Sequence, residues 1–237
     1  MSVSKETSFK KIYPAIIIKE SELERSDVTL QNAITAIPAQ LTTTFLLLAG
    51  VIFCAAVYSA YLVGGYCSKR WDGNDIKTKT VAMLIMGGVS LLSLILFGIS
   101  MTTFQAIILC DIYLFASYSD FKTRELDDSA HCLLIATSLI GCSLADIPDM
   151  LFAGIAVGGV MLLVAVISGG KGVGGADIKL GAASAFLLGT QRGLIGVIAG
   201  MLIGVIYNAI QNKRKGTKEG FPLVPYLAIG FMASYFI

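Results

Sequence analysis

Three aspartates lie at or within long apolar stretches of this chain: Asp111, Asp120 and Asp177. An ionisable side chain in or beside a membrane helix is costly to bury, so each of the three is a candidate functional residue. Two aspartic carboxyls that meet cannot both ionise cheaply and therefore share one proton. The ionised carboxyl can then take a proton from a water molecule while the protonated one polarises the group under attack. Which carboxyls meet depends on the elements that carry them.

The composition predicts an all-α, polytopic membrane protein. Of the 237 residues, 55% are hydrophobic and only 14% are charged, whereas a soluble domain has about 25% charged residues. Eight apolar segments follow one another: Leu41–Tyr66, Val81–Ser100, Thr102–Ser117, His131–Leu144, Met150–Ser168, Leu180–Thr190, Gly193–Ile210 and Phe221–Ile237. A span needs about 20 residues. The fourth and sixth segments therefore have to extend toward Asp128 and Asp177.

The positions of lysine and arginine indicate the orientation of the spans, because cytoplasmic loops accumulate these residues. Eight crossings place four basic clusters on one side of the membrane, and the opposite connections contain one basic residue, Arg192. The clusters are Lys69 and Arg70 with Lys77 and Lys79, Lys122 with Arg124, Lys171 with Lys179, and Lys213, Arg214 and Lys215 with Lys218. The prediction is a multi-pass protein of the plasma membrane with both termini outside.

Residues 1–40 are polar and carry charges of both signs, and the first long apolar run comes only after them. This pattern does not fit a cleavable signal peptide. We expect a polar tail of unassigned role over residues 1–40 and one transmembrane domain over residues 41–237.

Several classes of function are disfavoured. A net charge of +2 gives no reason to expect nucleic-acid binding. Five cysteines without a C-x-x-C pair and a single histidine, His131, cannot form a zinc site at ordinary ligand spacing. No metal or cofactor is expected.

Asp120 and Asp177 are expected at the same face of the membrane because two spans separate them. Asp120 lies where the third span emerges and Asp177 where the sixth begins. Each also has an ordinary interpretation, Asp120 as a solvated loop charge and Asp177 as a helix cap after a glycine-rich turn at residues 169–175. That turn lacks the pattern of a phosphate-binding loop. For Asp111, in the middle of the third span, we expect a buried hydrogen bond or ion pair.

Three motifs occur in order: SDFKTRELDD from Ser119, GVGGADIKLGAA from Gly172 and FPLVPYLAIGF from Phe221. With this topology, the chain resembles the type IV prepilin and preflagellin peptidases, aspartic membrane proteases with a G-x-G-D motif. The resemblance covers roughly residues 41–237. Asp127 replaces the proline usual in the first motif, and Ala176 replaces the second glycine of the second motif.

The resemblance implies that Asp120 and Asp177 are catalytic, without metal or cofactor, at the cytoplasmic face of the membrane. The implied substrates are pilin-like or archaellin precursors that carry a short basic leader ahead of an apolar helix. The residues expected to support the site or bind substrate are Gly174, Gly175, Ala176, Lys179, Lys122, Glu125, Asp127 and Asp128. Many bacterial members also have a cysteine-rich domain linked to N-methylation between their first two spans. Here that connection is short, so peptidase activity is implied and methyltransferase activity is not.

Alternatives remain open for the supporting residues. Lys122 and Lys179 either help to keep a carboxylate ionised or anchor helix ends at the interface. Glu125, Asp127 and Asp128 either attract a basic leader or form a solvated loop.

Alternatives also remain for the whole chain. It could be an intramembrane protease of the presenilin type, although the Pro-Ala-Leu motif of that type is replaced here by FPLVP from Phe221. It could also be an ion-coupled transporter or channel with the aspartates along its path, or an inactive assembly factor that has kept the fold.

Overall fold

The computed structural model of the protein describes residues 43–73, 75–170, 173–215 and 221–237. The predicted polar tail lies outside these residues. The chain divides into two compact units, Met1–Gly50 and Val51–Ile237. The first unit is described only from Thr43 onward, where the first helix begins, and the candidate site belongs to the second unit.

The described residues form seven helices and no strand, in agreement with the predicted all-α class. The helices are α1 (Thr43–Trp71), α2 (Ile76–Phe97), α3 (Met101–Thr123), α4 (Asp128–Ser138), α5 (Ile147–Ile167), α6 (Gly175–Lys215) and α7 (Val224–Tyr235). By length and composition α1, α2, α3, α5 and the 37-residue stretch Gly175–Gln211 of α6 qualify as membrane spans. The chain is therefore a multi-pass membrane protein.

Helix α6 is broken in its middle. Gly189 has φ 78° and ψ 177°, outside the helical region. A Cβ atom placed on Gly193 would lie 3.0 Å from the Cα of Ala185, although residues eight apart in one straight helix are about 12 Å apart. The chain therefore reverses at Gly189, and residues 175–188 pack against residues 190–215. This break separates the sixth and seventh predicted spans.

Helices α4 and α7 are short, with 11 and 12 residues. A helix of 11 residues is about 16 Å long, well below the thickness of a bilayer core. Helix α4 begins at Asp128, as the predicted extension of the fourth span requires, but it ends at Ser138 and not at Leu144. Turns then follow, in which Gly141 has φ 73°. The eight crossings and the side of each terminus stay predictions.

Three ion pairs gather helix ends at one end of the bundle, which we call the basic end. They are Arg70–Asp127 at 3.3 Å, Lys122–Asp72 at 2.6 Å and Lys179–Asp128 at 2.8 Å. Their cations come from three of the four basic clusters that the sequence predicted on one side. Those three clusters therefore lie together.

The opposite end of the bundle is joined by a network of hydrogen bonds. The hydroxyl of Tyr235 donates to the Thr102 carbonyl at 2.8 Å and to Gln105 Oε1 at 2.9 Å. Gln105 Nε2 donates to the carbonyls of Thr137 at 3.1 Å and Ile140 at 3.3 Å. The start of α3 and the ends of α4 and α7 meet here. The last turn of α3 and the first turns of α4 and α7 consequently meet at the basic end.

Glycines that are spaced four residues apart permit the closest helix packing. In α5, Cβ atoms on Gly154 and Gly158 would lie 3.3 Å and 3.1 Å from atoms of Ala182 in α6. On the other half of α6, a Cβ on Gly200 would lie 2.7 Å from the Cα of Leu227 in α7. Backbones approach this closely only where side chains are absent.

Candidate active site

Asp120 lies in the last turn of α3 and caps another helix. Its side chain is buried, with 8% exposure, and its Oδ2 accepts a hydrogen bond from the backbone N–H of Val224 at 3.0 Å. Val224 is the first residue of α7, and the first N–H groups of a helix have no partner within it and form its positive end. Val224, a residue of the third sequence motif, thus donates a hydrogen bond to Asp120 of the first motif.

Asp177 lies in the first turn of α6 and is half-buried. Its Oδ2 accepts a hydrogen bond from the N–H of Gly174, three residues earlier, at 3.0 Å. A side chain at the third helical position that bonds back to the N-cap N–H is one half of a capping box. The sequence-based interpretation of Asp177 as a helix cap is therefore confirmed.

Asp120 and Asp177 lie at the same end of the bundle, in the last turn of α3 and the first turn of α6, where the ion pairs of Lys122 and Lys179 also lie. The backbones of their helices stay apart: within the described residues, no Cα atom of α3 comes within 8 Å of one in α6, although the side chains of Tyr113 and Ser184 reach each other between these helices. Both helices also contact α4 and α7. Helices α4 and α7 therefore contribute to the placement of the two carboxyls.

The glycine-rich segment turns the chain before Asp177. Gly169 and Gly170, which follow α5, have φ values of 63° and 74°, in the left-handed region that favours glycine. Ala176 lies within α6 and is not among the residues with positive φ. The methyl group that replaces the second glycine of the motif therefore causes no backbone strain.

Gly174 and Gly175 differ in the space around them. A Cβ atom on Gly174 would lie 3.2 Å from Asp177 Oδ2, which is closer than most such contacts. A Cβ atom on Gly175 would have no neighbouring heavy atom within 4 Å. Of these two predicted supporting residues, only Gly174 has to be small for the observed position of the Asp177 carboxyl.

The first turn of α4 contacts the Asp177 segment twice. His131 is buried, and its Nε2 lies 3.2 Å from the Ala176 carbonyl oxygen. Asp128 accepts a hydrogen bond from Lys179 Nζ at 2.8 Å and lies 3.7 Å from His131 Nδ1. The hydrogen bond from Lys179 holds the pKa of the Asp128 carboxyl below its usual range. Sequence reasoning placed His131 only at the start of the fourth helix, since no spacing rule connects it with Ala176.

The contacts observed for Lys122, Asp127 and Glu125 do not involve the two aspartates. Lys122 pairs with Asp72 across the bundle end, and Asp127 pairs with Arg70. The backbone carbonyl of Glu125 accepts hydrogen bonds from Ser119 Oγ at 2.8 Å and Thr123 Oγ1 at 3.2 Å. The anchoring interpretation of Lys122 is favoured, because its ammonium group is held by Asp72.

Asp111 does not join the pair. It precedes Asp120 by nine residues of α3, which corresponds to about 900° of helix rotation and places it on the opposite side. Its half-buried carboxyl lines a cavity of about 430 Å³ together with Leu62, Phe115 and Leu133. Within the described part of the chain, Oδ1 of Asp111 has no hydrogen-bond partner, but the Ser59 side chain forms a hydrogen bond with this carboxyl, in agreement with the buried hydrogen bond expected from the sequence.

No group of three or more His, Cys, Asp or Glu side chains suited to a metal ion occurs among the residues that the structure describes. The chemistry that the described residues offer is that of two carboxyl groups, each held by a backbone N–H.

Comparison with known proteins gives two matches. The sequence profile of the type IV leader peptidase family matches residues 107–209, a range that contains Asp120 and Asp177. The prepilin leader peptidase/N-methyltransferase of Bacillus subtilis (strain 168) is 29% identical over 145 residues, which cover 59% of this chain and 58% of that protein. The chain thus matches little more than half the length of this relative. No solved structure matches the chain.

Proposed function

We propose that this chain, of which residues 107–209 match the sequence profile of the type IV leader peptidase family, is a membrane-embedded aspartic endopeptidase for pilin-like or archaellin precursors. The activity is removal of a short basic leader ahead of an apolar helix. The observation that carries the aspartic assignment is that Asp120 and Asp177, both within the family-matched residues, lie at the same end of the bundle and each accept a backbone N–H at the start of a helix.

The proposed mechanism uses the pair as general base and general acid. Two carboxyls at short range retain one proton between them. The hydrogen bonds from Val224 and Gly174 each engage Oδ2, and we assign the Oδ1 atoms to the water and the shared proton. The ionised carboxyl takes a proton from the water, which attacks the scissile carbonyl. The protonated carboxyl polarises that carbonyl and then protonates the leaving amine.

The proposed site faces the cytoplasm, with eight crossings and both termini outside. Three basic clusters meet at the end that carries the two aspartates, and basic residues accumulate on the cytoplasmic side. The precursor helix would lie in the bilayer beside the bundle and present its leader junction at this end. Asp127 and Asp128 already pair with Arg70 and Lys179, so Glu125 is the acid we assign to attraction of a basic leader.

The test is cleavage of a purified pilin-like precursor in detergent by wild type, Asp120→Asn, Asp177→Asn and Asp111→Asn. Asparagine keeps an oxygen that can accept the Val224 or Gly174 N–H, so folding is preserved while the acid–base chemistry is lost. We expect each of the first two variants to lower kcat by about 10²- to 10⁴-fold. Asp111→Asn is the matched control, because it removes a carboxyl from the other side of the same helix.

Three outcomes would contradict the proposal. Retained cleavage in folded Asp120→Asn or Asp177→Asn would exclude the pair. Loss of cleavage in Asp111→Asn alone would move the chemistry to the other side of α3. Absence of cleavage by wild type on several precursors would favour a transporter or an inactive scaffold.

A further inference from the structure

We propose that His131 is a positioning residue that fixes the distance between the two catalytic carboxyls by holding the backbone immediately before Asp177. This inference rests on the proposed function and adds to it a residue that the three sequence motifs do not mark. It follows from the contacts of α4, the short helix that links α3 and α6.

The contact between His131 and Ala176 has a defined direction. The Ala176 carbonyl can only accept a hydrogen bond, so His131 Nε2, at 3.2 Å, carries the hydrogen. The imidazole has 7% exposure, and Nδ1 is buried without a hydrogen-bond partner among the described residues. Rotation of the ring would leave the buried Nε2–H of His131 without an acceptor, which is unfavourable. The Ala176 carbonyl and, through the next peptide bond, Asp177 are held in place.

The turn that leads into α4 is held against the end of α3 that carries Asp120. The Glu125 carbonyl accepts hydrogen bonds from Ser119 Oγ and Thr123 Oγ1, which close the turn between α3 and α4. A continuous set of contacts therefore runs from Asp120 through this turn and the first turn of α4 to Ala176. Because the backbones of α3 and α6 do not approach within 8 Å in the described residues, this route and the one through α7 contribute to the placement of the two carboxyls.

The second contact of α4 with this segment is weaker. Asp128 and Lys179 form their ion pair with side-chain exposures of 77% and 62%, and exposed ion pairs contribute little because water and salt screen them. The buried hydrogen bond from His131 is therefore the stronger constraint on Asp177.

The test compares His131→Asn with His131→Gln. The side-chain nitrogen of glutamine reaches about as far as histidine Nε2 and can donate to Ala176, whereas asparagine reaches only about as far as Nδ1. We expect His131→Asn to lower kcat by about 10- to 100-fold with little change in KM, because a small displacement of a catalytic group is costly. His131→Gln should stay within about threefold of wild type, which a purely space-filling role would not produce.

Hydrogen exchange of the Ile178 amide gives a second measurement that does not depend on activity. This amide bonds to the Gly174 carbonyl at 3.2 Å across the turn that His131 holds. We expect faster exchange in His131→Asn and not in His131→Gln. Should His131→Asn fail to fold, the glutamine variant decides, since a folded but inactive His131→Gln would overturn the proposal.

The two proposals fail in different ways. If wild type cleaves and folded His131→Asn cleaves equally well, His131 has no positioning role while the peptidase assignment stands. If wild type cleaves no precursor, the peptidase assignment fails. Unchanged exchange at Ile178 in His131→Asn would then also overturn the positioning role of His131, whereas faster exchange would support it.

Discussion

Asp120 and Asp177 each accept an N–H group from the start of a helix, Asp120 from α7 and Asp177 from α6. A carboxylate is stabilised at this position by the hydrogen bond and by the positive end of the helix. Each carboxyl therefore has a structural reason for its position that is independent of catalysis. Substitution by asparagine separates the two roles, because it keeps the acceptor and removes the titratable group.

Gly174→Ala should lower kcat by about 2- to 10-fold. The added methyl group would lie 3.2 Å from Asp177 Oδ2 and displace the carboxyl by a few tenths of an ångström. The matched control is Gly175→Ala, at the next residue, where the methyl group meets no heavy atom within 4 Å. Precursor cleavage measures both variants, and equal activities would show that the space beside Gly174 is unimportant.

At the scale of elements, the reversal within α6 depends on a contact from α5. Asp149 Oδ2 accepts the Thr190 N–H at 3.0 Å, and its Oδ1 accepts the Thr190 hydroxyl at 2.6 Å. Thr190 follows Gly189, where the helix is broken. Asp149 thus caps the second half of α6 from a different helix and fixes the corner at which the chain turns back.

Asp149→Ala should destabilise the protein by about 1 kcal/mol, the usual cost of losing a cap. Thermal unfolding in detergent measures the change. Thr190→Ser keeps both donors and is expected to unfold like wild type, whereas Thr190→Val loses the hydroxyl donor. A wild-type melting midpoint in Asp149→Ala would contradict the role of this cap.

At the scale of the whole molecule, the site depends on how closely α7 packs on the second half of α6. Gly200 allows this approach, since any Cβ there would meet the backbone of Leu227. The same packing places Val224 where it can donate to Asp120. A contact between helix backbones remote in sequence from Asp120 therefore contributes to the geometry of the pair.

Gly200→Ala should lower both the melting midpoint and the rate of cleavage. The methyl group would lie 2.7 Å from the Cα of Leu227, and overpacking of this kind costs about 1–3 kcal/mol. Gly159→Ala in α5 is the control, because it is exposed with no heavy atom within 4 Å of the added methyl group. We expect it to match or exceed wild type in stability. Similar behaviour of the two variants would contradict the packing argument.

The all-α class and the break between the sixth and seventh spans could be predicted from the sequence, which also names Asp120 and Asp177 as the candidate pair. Apolar runs, charged residues in or beside them and glycine-rich turns are local properties, so a linear chain displays them. The sequence-based prediction put the end of the fourth helix at Leu144, six residues after the observed end at Ser138. Residues 139–144 carry no strong local signal that favours a turn over a helix.

The groups that hold the two carboxyls can be identified only from the folded structure. The Val224 N–H that bonds Asp120 lies about a hundred residues away from it in the chain, and the His131 contact with Ala176 spans 45 residues. Backbone N–H and carbonyl groups occur at nearly every position, so their partners leave no pattern in the sequence. Helix packing decides which of these groups meet. Here α4 and α7 each contact both α3 and α6 and bring the ends of these two helices into one region.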